Sequence, residues 1–305
     1  MAKSKKLNLE NVKENYILTL ATNTYLAAMI SFFLLFTGRS GYSGITESKY
    51  RVFLFFTISY ILFCVTVLLI QFFRTPQRID FFKKHFLPTS PTQYFFLLYL
   101  FFTIISSVLS EYSTYTWIGM TRYEGSLSIG LYVSIFLLFS RYYRSAKWHL
   151  YLLGISSLVF TLLSFVQLAG LNPFELYPKG LTYFDAEVAY RGSYLGNIGN
   201  VDLVAAFLTL AIPILLCLPL FMKETRIQIL RFPAFGLIIT LIKSKVMAGV
   251  LGLVLGLVLS LPLMIPLKKK YKVILIVSIV AMLVGFLLTI KFWIYPSEGV
   301  IFELH

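Results

Sequence analysis

The chain has 305 residues, 58% of them hydrophobic and 17% aromatic, with a mean hydropathy of +0.80 and a formal net charge of +14. That apolar share is far above the composition of a soluble domain and excludes a disordered chain. The basic charge is dispersed through short segments between apolar runs, which excludes a nucleic-acid patch and points to membrane topology.

In chain order, a short charged tail (residues 1–15) comes first. It is not a cleavable signal, because no small-residue cleavage site follows an apolar core. A helical span needs roughly 20 mostly apolar residues. Nine stretches are candidates: 16–37, 52–73, 93–110, 126–140, 150–168, 201–221, 232–242, 246–267 and 273–290. The expected fold is therefore all-α: a polytopic transmembrane helix bundle of about nine spans, forming one domain over residues 1–305.

Lys and Arg in excess mark short cytoplasmic loops. With the N-terminus cytoplasmic, the inner segments hold the clusters Lys3–Lys13, Arg74–Lys84, Arg141–Lys147, Lys223–Arg231 and Lys268–Lys272. The same rule makes 232–267 a hairpin with Lys243 and Lys245 at its outer tip, since a single interrupted span would put Lys268–Lys272 outside. A lysine at mid-span would also cost about 2.5–3.5 kcal/mol. The C-terminal segment 291–305 then lies outside.

Chemistry-bearing residues are sparse in the spans. Cys64 and Cys217 sit within them, so neither a disulfide nor a metal site is indicated. His85, His149 and His305 have no ligand spacing among them. There is no Walker loop, nucleophile elbow, zinc signature or internal repeat. No metal or cofactor is expected.

The outer segments collect the polar residues. The 111–125 loop ends in Arg122-Tyr-Glu-Gly125, a cation and a carboxylate beside aromatic rings. The main outer loop, 169–200, opens on the turn signal Asn172-Pro173. It carries Tyr177, Tyr183, Tyr190 and Tyr194, which could stack on sugar faces. It ends in Arg191-Gly-Ser-Tyr-Leu-Gly-Asn-Ile-Gly-Asn-Val-Asp202, running directly into the sixth apolar stretch. Glycines there permit backbone conformations closed to other residues, and Arg191 can grip phosphate oxygens with two parallel hydrogen bonds. Such a loop suits a phosphate, or a sugar on a lipid carrier. The same residues have structural readings. Arg122 and Arg191 can snorkel to headgroups or pair with Glu124 and Glu187, while Asn200 and Asp202 can cap the sixth helix. Gly249, Gly252 and Gly256 suit close helix packing.

The segment 190–213 resembles the central signature of the O-antigen ligase and polymerase family of bacterial membrane proteins, in which an arginine-bearing, Gly/Asn-rich outer loop enters a helix. Gly119-Met-Thr-Arg-Tyr-Glu-Gly125 is similar to that family's earlier outer-loop element. Lys243-Ser-Lys245 resembles the place where members often carry Ser-Arg; here the basic residue is lysine. The resemblance implies a multi-pass glycosyltransferase of the bacterial cytoplasmic membrane. It would take glycan from an undecaprenyl-pyrophosphate carrier at the outer face and pass it to another glycan, a lipid or a protein, without metal or nucleotide. Its partners would be a lipid-linked oligosaccharide and membrane lipid. By match, Arg191 would neutralise the pyrophosphate, followed by Arg122 and Lys245. Asn197, Asn200 and the loop amides would orient the phosphate or sugar, and Asp202 is a further candidate for binding the substrate. Family members usually continue into a second large outer loop bearing a histidine and a further arginine. This chain stops at His305, so an N-terminal portion completed by a separate C-terminal half, or an inactive remnant, is expected. The alternative is a non-enzymatic polysaccharide exporter or scaffold. Against an ion-coupled exporter, the nine stretches contain only Asp202 as an ionisable side chain of the acidic or basic class, at an end.

Overall fold

The computed structural model describes residues 16–38, 41–120, 122–177, 196–222, 225–264 and 273. The N-terminal tail, most of the main outer loop with Arg191, the ninth apolar stretch and the C-terminal segment lie outside the described residues.

The described residues form helices and connecting turns. The helices are α1 (Tyr16–Phe33), α2 (Gly41–Arg74), α3 (Arg78–Phe86), α4 (Pro91–Val108), α5 (Ser113–Ile118), α6 (Ser126–Tyr142), α7 (Lys147–Leu168), α8 (Val201–Phe221), α9 (Arg231–Lys243) and α10 (Met247–Met264). Among the described residues, five apolar helices are long enough to cross a membrane: α1, α4, α7, Gly44–Arg74 within α2 and Val201–Pro219 within α8. α6 and Met247–Val258 within α10 are apolar but shorter. α9, with 13 residues, reaches only about 20 Å at 1.5 Å per residue, against a hydrocarbon core of about 30 Å. The count of five stands below the nine apolar stretches because several are short and one falls outside the described residues. Two further helices, α3 and α5, lie in segments read from the sequence as loops.

Local signals set the helix ends. Ser90 starts α4: its hydroxyl accepts from the Gln93 amide at 3.4 Å, and Pro91 takes the first turn, where its missing N–H is harmless. The Gln93 side chain also accepts from the amide of Thr89, the residue before the cap, at 2.7 Å, which fixes the entry into the helix. Arg231, in contrast, begins α9 with no side-chain cap.

The helices pack in two groups. The first contains α1, α2, α3 and α6, around Leu18, Tyr25, Tyr60, Cys64, Leu68 and Phe81. Thr22 bonds Tyr60 at 2.9 Å, and Tyr25 bonds Thr57 at 2.8 Å. These pairs join antiparallel α1 and α2 through polar groups that would otherwise go unsatisfied, a link worth about 1 kcal/mol each in an apolar medium. α4 joins α6 at both ends, through Gln93 to Ser140 at 2.7 Å and Ser107 to Ser126. The second group is α7 to α10, around Phe160, Val204, Leu208, Ile212, Leu237 and Leu253.

Glycines let the second group close up. A Cβ on Gly154 would lie 2.6 Å from Leu230, one on Gly236 2.5 Å from Thr161 and one on Gly249 2.7 Å from Ala205. These are small-residue contacts of the kind membrane helices use. Gly249 fills the packing role expected for it. Among the described residues, Gly252 meets Thr209 only at 3.9 Å and nothing lies within 4 Å of Gly256. The contacts make α9 antiparallel and α10 parallel to α8, which turns α9 and α10 into a hairpin. Its turn is Ser244–Val246, with Lys245 in the left-handed region at φ +57°.

Successive long helices alternate in direction, so the connections gather at two ends. Among the described residues, one end carries Arg74, Arg78, Lys83, Lys84, Arg141, Arg144, Lys147, Arg226 and Arg231 against the single acid Asp80. The other balances Lys49, Arg51, Arg122, Lys243 and Lys245 against Glu47, Glu111, Glu124, Glu175 and Asp202. Between the ends, large apolar side chains face outward, such as Phe55, Phe95 and Leu210, each about 70% exposed. So apolar an outer surface belongs against lipid.

A cavity between the two helix groups

At the charge-balanced end the two helix groups part around a cavity of about 540 Å³. Its walls are apolar: Met29, Ile30, Phe33, Phe53, Leu153, Ile198, Leu203 and Phe207. Its polar features are Lys49, Tyr50, Arg122, Tyr123 and Tyr132. Many ligand sites have this build, mostly apolar with a few convergent polar groups.

Each side of the cavity has a local cause. α1 widens at Met29–Phe33 into a π-helical turn, a distortion that often marks functional sites, and Met29, Ile30 and Phe33 of that turn line the cavity. Just beyond, the C-terminus of α1 is closed from two distant places. Lys49 donates to the Phe33 carbonyl at 2.9 Å and the Leu34 carbonyl at 3.1 Å, with its ammonium 5.2 Å from the Phe33 ring centroid. Asn197 donates to the same Leu34 carbonyl at 2.9 Å. A cation on the last carbonyls of a helix also meets the negative end of its dipole. The Tyr50 hydroxyl is buried with no hydrogen-bond partner among the described residues, as is the Asn197 side-chain carbonyl oxygen.

Arg122 is held at the rim by a tight turn. Gly119 has φ +76°, and a Cβ on Gly125 would lie 2.4 Å from the Trp117 carbonyl. The Gly125 amide bonds Ile118 at 3.3 Å, and Ser128 bonds the Tyr123 carbonyl at 2.6 Å. Tyr123, at φ +55°, stacks on Tyr50 with centroids 4.4 Å apart and planes at 12°. The Arg122 side chain itself is exposed.

The Gly/Asn loop is held as firmly. Gln167, fully buried in α7, accepts from the Gly196 amide at 2.7 Å and donates to its carbonyl at 3.0 Å. Gly196 (φ +83°) lies on the Phe160 ring, and Gly199 (φ +96°) lies on Ile45. Asn200 accepts from the Asp202 amide at 2.7 Å and so caps α8. Asp202 is exposed in the first turn, the favourable end for an acid.

Of the six residues singled out from the sequence, the structure brings Arg122 and the 197–200 loop to one cavity. Of that loop Ile198 lines the wall, whereas Asn197 holds the α1 terminus and is not among the cavity's lining residues. Asn200 and Asp202 flank it at the start of α8. Lys245 is exposed on the α9–α10 turn and is not among the cavity's lining residues. Arg191 lies outside the described residues. Sequence reasoning missed Lys49, Tyr50, Tyr132 and Gln167. Lys49 was legible only as a basic residue before an apolar stretch, and Gln167 only as a polar residue at a helix end.

Comparison of the chain with protein-family models, with curated proteins and with solved structures gives no match. What fold and cavity define is a class: a helical membrane protein with an apolar, cation-rimmed cavity at one end of its helices.

Proposed function

We propose that this chain is a glycosyltransferase of the O-antigen ligase and polymerase kind, acting on glycan carried by undecaprenyl pyrophosphate. On this reading it sits in the bacterial cytoplasmic membrane with about nine spans. The N-terminus and the basic end are cytoplasmic, and the C-terminus and the cavity end are outside. One observation carries the reading: an apolar cavity rimmed by Arg122 lies beside the Gly/Asn loop that leads from Arg191. The polyprenyl chain is apolar and its pyrophosphate is anionic, so the two parts of the carrier match the wall and the rim. Pyrophosphate is already a leaving group, and the step needs its developing charge neutralised. An arginine at the rim, Arg122, suits that task, since one such charge-stabilising donor is worth about 10²–10³ in rate.

The test is turnover of a lipid-linked oligosaccharide by the purified native polypeptide without an ion gradient. Release of undecaprenyl pyrophosphate with transfer of the glycan is the expected result. Arg122→Ala and Arg191→Ala should each slow release by about 100-fold, with expression unchanged. Wild-type rates in both variants would remove the arginines from the mechanism. Glycan moved across the membrane still attached to its carrier would replace the enzyme reading with export.

A further inference from the structure

A second hollow, at the opposite, basic end, is unrelated to the cavity above. It lies in the elbow where α2 turns into α3 and has a volume of about 160 Å³. Gln71 and Thr75 of α2 form one side; Gln77, Asp80, Lys84 and His85 form the other. Three features give it a character. The Gln71 side chain is 4% exposed, and its amide nitrogen is a buried donor with no hydrogen-bond partner among the described residues. Such orphaned donors are rare and call for an acceptor. The Thr75 hydroxyl donates to the Gln71 backbone carbonyl at 2.8 Å and makes no hydrogen bond with the Gln71 amide nitrogen. The first turn of α3 follows Gln77 and has no side-chain cap, which leaves backbone amides at the positive end of a nine-residue helix.

Lys84 adds a full positive charge at the rim. Asp80, one turn earlier, is the opposing carboxylate. Arg78 and Lys83 add to the positive field of the same short helix. That helix exposes Ile79, Phe82 and Phe86 beside its basic residues, the composition of a helix lying in a membrane interface. The elbow therefore stands where phospholipid headgroups lie, beneath the end of a helix long and apolar enough to cross the membrane.

We propose that the α2–α3 elbow binds the phosphate group of a phospholipid headgroup, with the Gln71 amide and the Lys84 ammonium as its donors. The α3 N-terminus complements the anion, and the exposed rings of Ile79's helix rest among the acyl chains. A soluble phosphate-bearing anion offers the same chemistry, and the experiment separates the two sources.

The purified chain in detergent is titrated with phosphatidylglycerol, and retained lipid is counted by native mass spectrometry. The same samples then receive millimolar inorganic phosphate. Gln71→Leu, Gln71→Glu and Lys84→Ala are compared with wild type, with thermal unfolding as the control for folding. A lipid retained by wild type and held about ten-fold more weakly by each variant supports the site, since each loses a charge-assisted or buried hydrogen bond. Indifference of that retention to phosphate assigns the lipid as the source. Displacement by phosphate, together with a phosphate-induced rise in unfolding temperature that Gln71→Glu abolishes, supports the site with a soluble source. Equal retention by wild type and all three variants overturns the proposal. Lys84 is exposed on α3, so Lys84→Ala keeps the test decisive if a change at buried Gln71 fails to fold.

Discussion

Gly196 carries two constraints at once. Its φ of +83° is a conformation that side chains disfavour, and a Cβ there would stand 2.5 Å from the Phe160 ring. Its amide and carbonyl are both held by Gln167, so the backbone cannot easily move away. Gly196→Ala should therefore destabilise the protein by about 2 kcal/mol or more through combined strain and overpacking. Gly256→Ala is the control: with nothing described within 4 Å and a helical backbone, it should be neutral or slightly stabilising. Thermal unfolding in detergent compares them. A Gly196→Ala protein as stable as Gly256→Ala would mean that the loop is not pinned as described.

At the scale of elements, α3 is tied to α6 through a histidine. His85 is buried, with Nδ1 2.8 Å from the Tyr142 hydroxyl and its ring 4.3 Å from that of Phe81. Arg141 donates to the His85 and Leu87 carbonyls from the same side. Burial first, and then the positive charges of Lys84 and Arg141, push the His85 pKa down to about 4, against about 6.5 in an unfolded chain. The folded protein thus holds the ring neutral, and the unfolded chain binds the extra proton. The stability linked to His85 is complete above pH ~6.5 and is lost as the pH falls toward ~4, by up to about 3 kcal/mol. His85→Asn removes this dependence. Between pH 7.5 and pH 4.5, the unfolding temperature of wild type should fall further than that of His85→Asn; parallel falls would show that His85 is not the titrating group. The tie also explains a helix that the sequence concealed. α3 is short and mixed in polarity, and its docking on α2 and α6 through Phe81 and His85 holds it in place, as expected where tertiary packing stabilises a short helix.

For the whole molecule, the unequal charge of the two ends makes a directional prediction. The basic end should face the cytoplasm and the cavity the outside. In a background with Cys64 and Cys217 replaced by alanine, Tyr112→Cys at the cavity end and Ser145→Cys at the basic end, both exposed sites, report the orientation. A membrane-impermeant maleimide should label Tyr112→Cys in intact cells and Ser145→Cys only after permeabilisation. The reverse pattern would place the cavity in the cytoplasm, out of reach of an outer-face lipid-linked donor.

The sequence by itself determined that the chain is helical and apolar, because unbroken apolar runs of span length have few alternatives once backbone groups must be satisfied internally. It also determined where the basic loops fall, the Lys243–Lys245 turn, and Arg122 and the 196–200 loop as unusual polar features, since charge, glycine and capping residues signal locally. Only the tertiary structure decided which of these meet. Lys49 became the clamp on the α1 terminus because α2 folds back beside α1, and Gln167 became the anchor of Gly196 across 29 residues of chain. Lys245, grouped with Arg122 by chemistry, is left on a separate turn. Contacts between residues far apart in the chain depend on how helices cross and how closely small side chains let them approach, and no single stretch of sequence encodes that.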